Sequence, residues 1–595
     1  MVENMNFLRS AVLALTLVAP LFSQSSPPVM PVSEIRIGMK GFGLTVFKGG
    51  NIERFEFEVL GIEKNYSPGR NRILIKASGG PLAETGIMAG MSGSPCYINE
   101  KLIGALSSGY LWEKEPIGGI TPIQEMLEQL QDVPDTVSAR TPLIPPRLDP
   151  GRVIRSAQIG EMIPLSEFMS ASEPRGGRTL PLLLHGTELS PEAKACWNGL
   201  PVHFAGAMAA DGGQAEPSPI EPGGMVSVHL IQGDMVMAAS GTITYVSGKR
   251  AMLFGHHLLG DLTGNLGAID LPMWSASVST HLASYQNSVK MAHPVAQVGA
   301  VRLDRLTGVA GIIGAEPKLI PFRVGLNLGG RKNLNFSFDV IDHPVLTPVL
   351  VYTALSQAIT SHVRDTGMQS LSLQGNIKIA NQQPIIIENM AADLNSGRLP
   401  TYLGGMLQAI FLNAFERPVI EGISVNIKGE ERLDLTAIAG VRPLSARVKR
   451  GQALPVLITL QNIQGVRETA RLNVPVPLSA KPGKAILQVG DGLSLLRNDP
   501  DAQRVNLSRT SLSEMVMLLN GTLRNNFAYA FLIQTQEGAG LRGNRIEGIP
   551  PSVSSLLMAD GDTSNNRLQR IVIGRAALPL EREVSGLITL EVEIE

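Results

Sequence analysis

The sequence predicts a mainly β protein built from several domains. At 595 residues the chain is too long for a single hydrophobic core, so several domains of ordinary size are expected. The composition is 44% hydrophobic and only 17% charged, with 62 Gly and 40 Pro, which favours short strands and turns over long charged helices. Strict alternation, as in Phe55, Phe57 and Val59 with polar residues between them, predicts half-buried antiparallel strands.

The charge balance and the residue inventory exclude several classes of function. Lys plus Arg (51) nearly equals Asp plus Glu (52), so no global basic field is available to bind nucleic acid. Two cysteines cannot form a thiolate metal site, and the nine histidines include no H-E-x-x-H pair. We therefore predict no metal, no cofactor and no nucleic-acid partner. Whether Cys96 and Cys196 pair stays open at this level.

The first 25 residues are typical of a secretory signal peptide. Arg9 precedes an apolar run from Ala11 to Phe22, and small residues follow at Ser23 and Ser25. The alternative, a membrane anchor, is disfavoured because the run is about half the roughly 20 residues that a spanning helix needs. The chain is thus expected to be secreted or periplasmic after cleavage at about residue 25, with no membrane span in the mature chain. A cell-envelope protein partner is compatible with this location.

Strand and turn patterns divide the rest of the chain. Residues 30–135 alternate strand patterns with glycine turns and predict a small barrel or sheet unit. Residues 136–224 are rich in Pro and Gly and predict an insert or connector. A second strand-rich block covers 225–330, in which "VSGKR" predicts a hairpin turn.

The carboxy-terminal half is predicted to hold three further units. Residues 331–417 form an α+β segment whose helices have core-facing stripes, one with Val351, Leu355, Ala358 and His362, the other with Leu403, Leu407 and Ile410. Residues 418–492 have turns at the spacing of an Ig-like β-sandwich. Residues 493–595 form an α+β domain, with a helix that begins at Ser511, where Glu514 completes a capping box.

Ser92 lies in the glycine-rich stretch "GMSGSP", before the strand pattern "CYINEKLIGAL". Acyl transfer by serine needs an exposed hydroxyl on a tight turn, with backbone N–H groups free to stabilise an oxyanion. The stretch is not the G-x-S-x-G elbow of α/β-hydrolases, because Ser94 stands where glycine is needed. It is similar to the G-D-S-G-G-P turn of trypsin-like serine peptidases, and by that analogy the N–H groups of Gly90 and Ser92 form the oxyanion hole.

A general base is the second requirement, and Gly255-His256-His257 ends a strand pattern in the second block. A neutral imidazole at the end of a barrel strand can accept a serine proton near neutral pH. A packed or capping histidine is the structural alternative.

The two motifs together resemble the SpoIVB peptidase family of serine peptidases. "GMSGSP" is followed by "LIGAL" and preceded by "FEFEVLGI" and "LAETGIMA", and a separate stretch reads "GTITY…LFGHHLLGD". The resemblance implies a chymotrypsin-like double β-barrel, with Ser92 as nucleophile, His256 as general base and a protein or peptide as substrate. The histidine segment precedes the serine segment in the sporulation peptidase and follows it here, so the two halves look permuted.

In the family, the catalytic aspartate lies shortly before the serine. The matching stretch here is "KASGGPLAETG", which has Gly79 and Gly80 and no aspartate. Asp261 is our prediction for the third catalytic residue, because it is the carboxylate nearest to the histidine motif. The other candidates are Glu84, Asp270, Asp304, and a Ser-His dyad that a backbone carbonyl orients. Loss of the orienting aspartate can cost about 10⁴ in kcat, so a slow or autoprocessing serine endopeptidase is expected.

Two other hypotheses remain at this level. In the first, the chain is a catalytically inactive, peptidase-like exported scaffold or binding protein, and "GMSGSP" is only a tight turn. In the second, Cys96 is the nucleophile, although it enters the following strand and has no glycine turn of its own.

Overall fold

A computed structural model describes most of the chain and shows a mainly β, multidomain architecture. The described residues are 28–110, 115–137, 150–168, 182–186, 189–197, 202–205, 216–259, 268–329, 333–363, 370–392, 397–413, 416–498, 511–541, 544–546, 549–559 and 566–595. The predicted signal peptide lies outside these residues. Within them, no helix has both the length and the apolar character needed to cross a membrane.

The first unit is a closed six-stranded barrel, preceded by a short 3₁₀ turn at Val32–Glu34. Its elements are β1 (Lys40–Val46), β2 (Ile52–Ser67), β3 (Arg70–Ser78), α1 (Leu82–Thr85), β4 (Pro95–Ile98), β5 (Lys101–Gly109), β6 (Ile117–Pro122) and α2 (Ile123–Leu130). Neighbouring strands follow the order β1-β2-β3-β6-β5-β4, and β4 closes the ring on β1. The alternation predicted for β2 is confirmed, because Phe55, Phe57 and Val59 are buried while Glu56 and Glu58 are exposed.

Residues 131–224 contain short helices and strands that the sequence patterns did not predict, because this stretch is rich in Pro and Gly. They are α3 (Pro150–Gln158), α4 (Leu165–Phe168), β7 (Leu182–Gly186), α5 (Pro191–Ala195) and β8 (Val202–Ala205). Distant parts of the chain hold them in place. β7 pairs with β8 and with residues 237–239. Gln408, in a later helix, accepts a hydrogen bond from Ile163 N (2.8 Å) and donates one to Ile163 O (2.8 Å). Contacts of such sequence separation leave no local pattern, so the sequence indicates only a loop-rich insert or connector over residues 136–224.

A second closed ring follows in the next block. It consists of β9 (Met225–Gly233), β10 (Met237–Ser247), β11 (Arg250–Leu253), β12 (Ala268–Leu282), β13 (Val289–Arg305) and β14 (Gly308–Ile313). Pairing runs β9-β10-β11-β14-β13-β12, and β12 returns to β9 through Met273↔Val228. The predicted "VSGKR" hairpin is confirmed by the pairing of Ser247 with Arg250.

Both rings therefore have the same strand order, the first, second, third, sixth, fifth and fourth strands in turn. Two closed barrels of equal topology in tandem agree with the double barrel that the family resemblance implies. This second barrel does not stand alone, because β9 and β10 extend it into a larger sheet of 13 strands.

The added strands and two helices form the α+β segment. They are β15 (Leu319–Asn327), β16 (Leu334–Ile341), α6 (Leu346–Thr360), β17 (Ser370–Ile379), β18 (Ile385–Ala391), α7 (Arg398–Phe411) and β19 (Ile420–Glu430). Both predicted helices are present, but α6 is buried around most of its circumference instead of along one stripe, and His362 lies beyond its end. The apolar face of the large sheet and these helices share one core.

The carboxy-terminal module consists of two packed sheets over a common core. Its elements are β20 (Leu435–Pro443), β21 (Arg447–Val448), β22 (Ala453–Asn462), β23 (Arg467–Pro475), β24 (Gly483–Gly490), α8 (Gly492–Arg497), α9 (Leu512–Asn520), β25 (Phe527–Leu541), β26 (Asn544–Ile546), α10 (Pro551–Ala559), β27 (Asn566–Pro579), β28 (Glu583–Ser585) and β29 (Leu587–Ile594). The capping box of Ser511 and Glu514 at the start of α9 is confirmed.

The sandwich is composed differently from the 418–492 unit that the sequence indicated. Strand β19 pairs with β15 and β17 in the large sheet, and most of the second sandwich sheet comes from strands beyond residue 492. Alternation along β19 shows which residues are buried, but it contains no information about which sheet the strand joins. The ion pair of Arg398 and Glu583 (2.7 Å) links α7 to this module.

Candidate active site

Ser92 and His256 occupy equivalent positions in the two barrels. Ser92 lies in the connection between the third and fourth strands of the first barrel, β3 and β4. His256 lies in the connection between the third and fourth strands of the second barrel, β11 and β12. Each barrel therefore supplies one candidate catalytic group from the same loop. This equivalence does not depend on the order of the two barrels in the chain.

The serine turn is hydrogen-bonded directly to the histidine barrel. Thr242 of β10 donates its N–H to Ser92 O (2.7 Å) and its hydroxyl to Gly90 O (3.0 Å). Thr244, two residues along the same strand, donates its hydroxyl to Gly93 O (2.7 Å). Three hydrogen bonds from one strand thus fix the serine turn against the second barrel.

The histidine loop returns this contact to the first barrel. The hydroxyl of Thr121 in β6 donates to Gly255 O (2.8 Å), and a Cβ on Gly255 would come within 2.8 Å of Ala105 in β5. Phe254 N donates to Thr242 O (3.3 Å). Thr242 belongs to β10, the strand that holds the serine turn. The segments with Ser92 and His256 are therefore adjacent in space, although 163 positions separate them in the sequence.

Backbone strain marks the approach to His256. Phe254 has a φ of 63° and Gly255 a φ of 69°, so two consecutive residues lie in the left-handed region. For a bulky residue such as phenylalanine this conformation is a real outlier, and such outliers concentrate at functional sites. The double turn directs the chain back from the end of β11 towards the serine barrel.

The ring of His256 is buried and its tautomer is defined. Nδ1 lies 2.7 Å from the His257 carbonyl oxygen, and since a carbonyl can only accept, Nδ1 carries the proton. Nε2 is then the unprotonated nitrogen of the neutral ring. Burial lowers the pKa of His256 to about 4, with a further lowering from the charge of His257 and an opposing rise from the carbonyl contact. His256 is accordingly neutral, and able to accept a proton, at any pH above about 4.

The hydroxyl of Ser92 has no hydrogen-bond partner among the described residues and can interact with a base or a substrate. Ser92 is 4% exposed, and among the described residues its Oγ makes no hydrogen bond, including none to His256. Catalytic hydrogen bonds are often long without substrate and tighten in the substrate complex. The turn around it is well supported, because Gly93 N donates to Leu106 O (2.7 Å) and Ser94 Oγ donates to Met91 O (2.6 Å).

The two amides assigned to an oxyanion hole are available. Within the described part of the chain, the N–H groups of Gly90 and Ser92 donate to no acceptor, whereas those of Met91, Gly93 and Ser94 all do. Gly90 has a φ of 97°, a conformation that favours glycine. Two unengaged amides on either side of one residue are the arrangement that stabilises an oxyanion.

Of the four carboxylates considered for the third catalytic residue, the three that the structure describes lie in different surroundings. Asp261 lies outside the described residues. Asp270 accepts a hydrogen bond from Lys318 N (3.0 Å) and pairs with Arg302, so both of its carboxylate oxygens have partners away from the described part of the histidine loop, residues 254–259. Glu84 is exposed on α1. Asp304 is 2% exposed at the end of β13, and its two oxygens accept hydrogen bonds from the N–H groups of Leu258 and Leu259 (2.7 Å each).

Asp304 thus fixes the backbone that follows His256, and His257 O orients the His256 ring. Replacement of Asp304 by asparagine is expected to destabilise the histidine loop by about 1–3 kcal/mol, because the amide can accept from only one of the two N–H groups. Thermal unfolding measures this loss. The reactivity of Ser92 towards a fluorophosphonate should also fall. Asp270→Asn is the matched control, and equal loss of reactivity in both variants would contradict a local role for Asp304.

Sequence patterns missed several residues of this site. Thr242, Thr244 and Thr121 act through their hydroxyl groups, and threonine in a strand is too common to stand out. Lys290 is different, since it lies at a fully buried position of β13. A lysine at an inward-facing position of an apolar strand was the signal that could have singled it out.

Neither cysteine supports the thiol hypothesis. Cys96 and Cys196 are both free, so no disulfide joins them. Cys96 is fully buried, and burial raises the pKa of its thiol well above the usual range, which disfavours the reactive thiolate.

A comparison with protein families bears on the first barrel. Residues 18–127 match the model of SpoIVB peptidase S55. Over these residues the chain is similar to the SpoIVB peptidase family, as the sequence motifs indicated. The match contains Ser92 and ends before the second barrel, so it covers less than a fifth of the chain. Searches of curated proteins and of solved structures gave no match.

Proposed function

We propose that the chain is an exported serine endopeptidase in which Ser92 is the nucleophile and His256 the general base. The main support for this proposal is that the two residues lie in equivalent loops of two barrels with the same strand order. Thr242 of β10 donates hydrogen bonds to the serine turn and accepts one from Phe254 at the start of the histidine loop, so the two loops are held together. The match of the serine barrel to SpoIVB peptidase S55 supports the reaction class.

In the proposed reaction, Ser92 Oγ attacks the carbonyl carbon of a peptide bond and its proton moves to His256 Nε2. The oxygen of the tetrahedral intermediate accepts hydrogen bonds from the N–H groups of Gly90 and Ser92. The imidazolium then protonates the leaving amine, and the C–N bond breaks to leave an acyl-enzyme on Ser92. Water hydrolyses the ester by the same proton transfers in reverse.

Orientation of the base does not need a carboxylate in this scheme. The His257 carbonyl holds Nδ1–H and so presents Nε2 to the serine, while Asp304 fixes the loop. A carbonyl stabilises the imidazolium less than a carboxylate does, so a slow or autoprocessing enzyme is expected. The apolar run from Ala11 to Phe22 supports export, to the periplasm or the cell exterior. Asp261 remains a proposed third catalytic residue.

The test is covalent labelling of the purified full chain with a fluorophosphonate probe, followed by peptide mapping of the modified residue. Labelling is expected on Ser92, and His256→Ala should slow it by roughly 10³-fold or more, because the serine loses its base. His257→Ala is the matched control: it keeps the backbone carbonyl, so a much smaller loss is expected.

The alternative is an inactive exported scaffold that retains the peptidase fold. The absence of a hydrogen bond between Ser92 Oγ and His256 among the described residues favours it. Folded wild-type protein that takes up no probe on Ser92, while a control peptidase does, would establish the scaffold and overturn the proposal.

A further inference from the structure

Lys290 of β13 is a fully buried lysine beside the serine turn. Its ammonium donates a hydrogen bond to the Thr45 hydroxyl of β1 (2.6 Å) and lies 5.6 Å from the centroid of the Phe47 ring. Within the described residues it forms no salt bridge. An ammonium in the interior with only a neutral partner is strongly unfavourable for folding, so its presence calls for a functional explanation.

The position of Lys290 connects it to the proposed oxyanion hole. Its backbone N–H donates to Ala89 O (3.1 Å), one residue before Gly90. A Cβ on Gly90 would lie 3.3 Å from both Cβ and Cδ of Lys290, so the lysine side chain runs along Gly90. Since Nζ is two bonds beyond Cδ, the ammonium lies within about 6 Å of the position that a Cβ on Gly90 would occupy.

We infer that Lys290 is a positioning residue of the serine site: it holds the Gly90 amide in place and supplies a positive charge behind the oxyanion. This role rests on the proposed function. Its backbone bond and its side-chain packing fix Ala89 and Gly90, and Thr45 keeps the ammonium on the first barrel. A fixed positive charge in a water-poor site stabilises developing negative charge more than it would in water.

The role has a consequence for the dependence on pH. Burial lowers the pKa of Lys290 to about 7, against a rise from the charge of Glu53 on β2. His281 lies opposite Lys290 on β12, and residues 88–91 of the serine turn carry no titratable side chain. Lys290 is charged below its pKa and neutral above it, while His256 is a base above a pKa of about 4. The reactivity of Ser92 should therefore rise through pH 4 and decline through about pH 7.

The experiment measures the second-order rate of fluorophosphonate labelling from pH 4 to 9, together with thermal unfolding, for the full chain. Lys290→Met keeps the packing and removes the charge. It is expected to lower the rate by about 10–100-fold at pH 6 and to abolish the decline near pH 7, without lowering the unfolding temperature. Thr45→Val removes the partner of the ammonium, so the pKa of Lys290 should fall and the decline should move to lower pH. Lys484→Met, at an exposed lysine, is the control for loss of one charge.

The outcomes separate this inference from the proposed function. Wild-type protein that labels on Ser92, with the same rate and the same pH profile in Lys290→Met, would overturn the role of Lys290 alone. A loss of rate in Lys290→Met that only follows a loss of folded protein would also overturn it, because it would make the lysine purely structural. No labelling of Ser92 in the wild type at any pH would overturn the proposed function, and this role with it.

Discussion

Replacement of Ser92 by alanine is expected to abolish fluorophosphonate labelling and to reduce peptide hydrolysis by about 10²-fold or more. Removal of the attacking oxygen eliminates the acyl-enzyme route. The loss is about 10⁶-fold in a complete triad and smaller here, because a base without an orienting carboxylate already costs about 10⁴ in kcat. Stability should be unaffected, because Ser92 Oγ makes no hydrogen bond among the described residues. Probe labelling, peptide cleavage and thermal unfolding of the same preparation measure the three quantities.

Ser94→Ala is the matched control, since it removes a hydroxyl two residues away in the same turn. Ser94 Oγ donates to Met91 O (2.6 Å), so this variant weakens the turn but keeps the nucleophile. Labelling should persist at a reduced rate. Labelling that survives in Ser92→Ala and disappears in Ser94→Ala would show that the nucleophile had been assigned to the wrong serine.

Replacement of Gly93 by alanine is expected to destabilise the contact between the barrels by about 3 kcal/mol or more. A Cβ at this position would lie 2.0 Å from Thr242 O and 2.6 Å from Phe254 N, both backbone atoms, and Gly93 has a φ of 96°. The β-carbon therefore meets the strand that holds the serine turn and the start of the histidine loop at once. Clashes with fixed backbone belong to the most damaging class of substitution.

Thermal unfolding is the measurement, and a decrease of roughly 10 °C is expected at about 2–4 °C per kcal/mol for units of this size. Gly38→Ala is the control, because Gly38 also has a positive φ (83°) but open space around its Cβ position. It should show only the cost of the backbone conformation, about 1–2 kcal/mol. Equal shifts in the two variants would contradict the tight barrel contact.

Local patterns were sufficient for the single elements of the fold. Alternation located β2, the "VSGKR" turn located the β10–β11 hairpin, and a capping box located the start of α9. Each of these signals depends on residues a few positions apart, which a linear sequence displays directly. Membership of a sheet depends on distant strands, and β19 therefore joined the large sheet against expectation.

By itself, the sequence determined the chemistry of the candidate site: a serine among glycines, a histidine at the end of a strand, and the mainly β class. The tertiary structure alone decided the rest. It closed two barrels of equal strand order, so that equivalent loops meet whichever motif comes first. It assigned Asp304 to the histidine loop and buried Lys290 behind Gly90. The physical reason is that burial, pKa and hydrogen-bond partners are properties of three-dimensional neighbours, and these neighbours are up to 245 residues away in the chain.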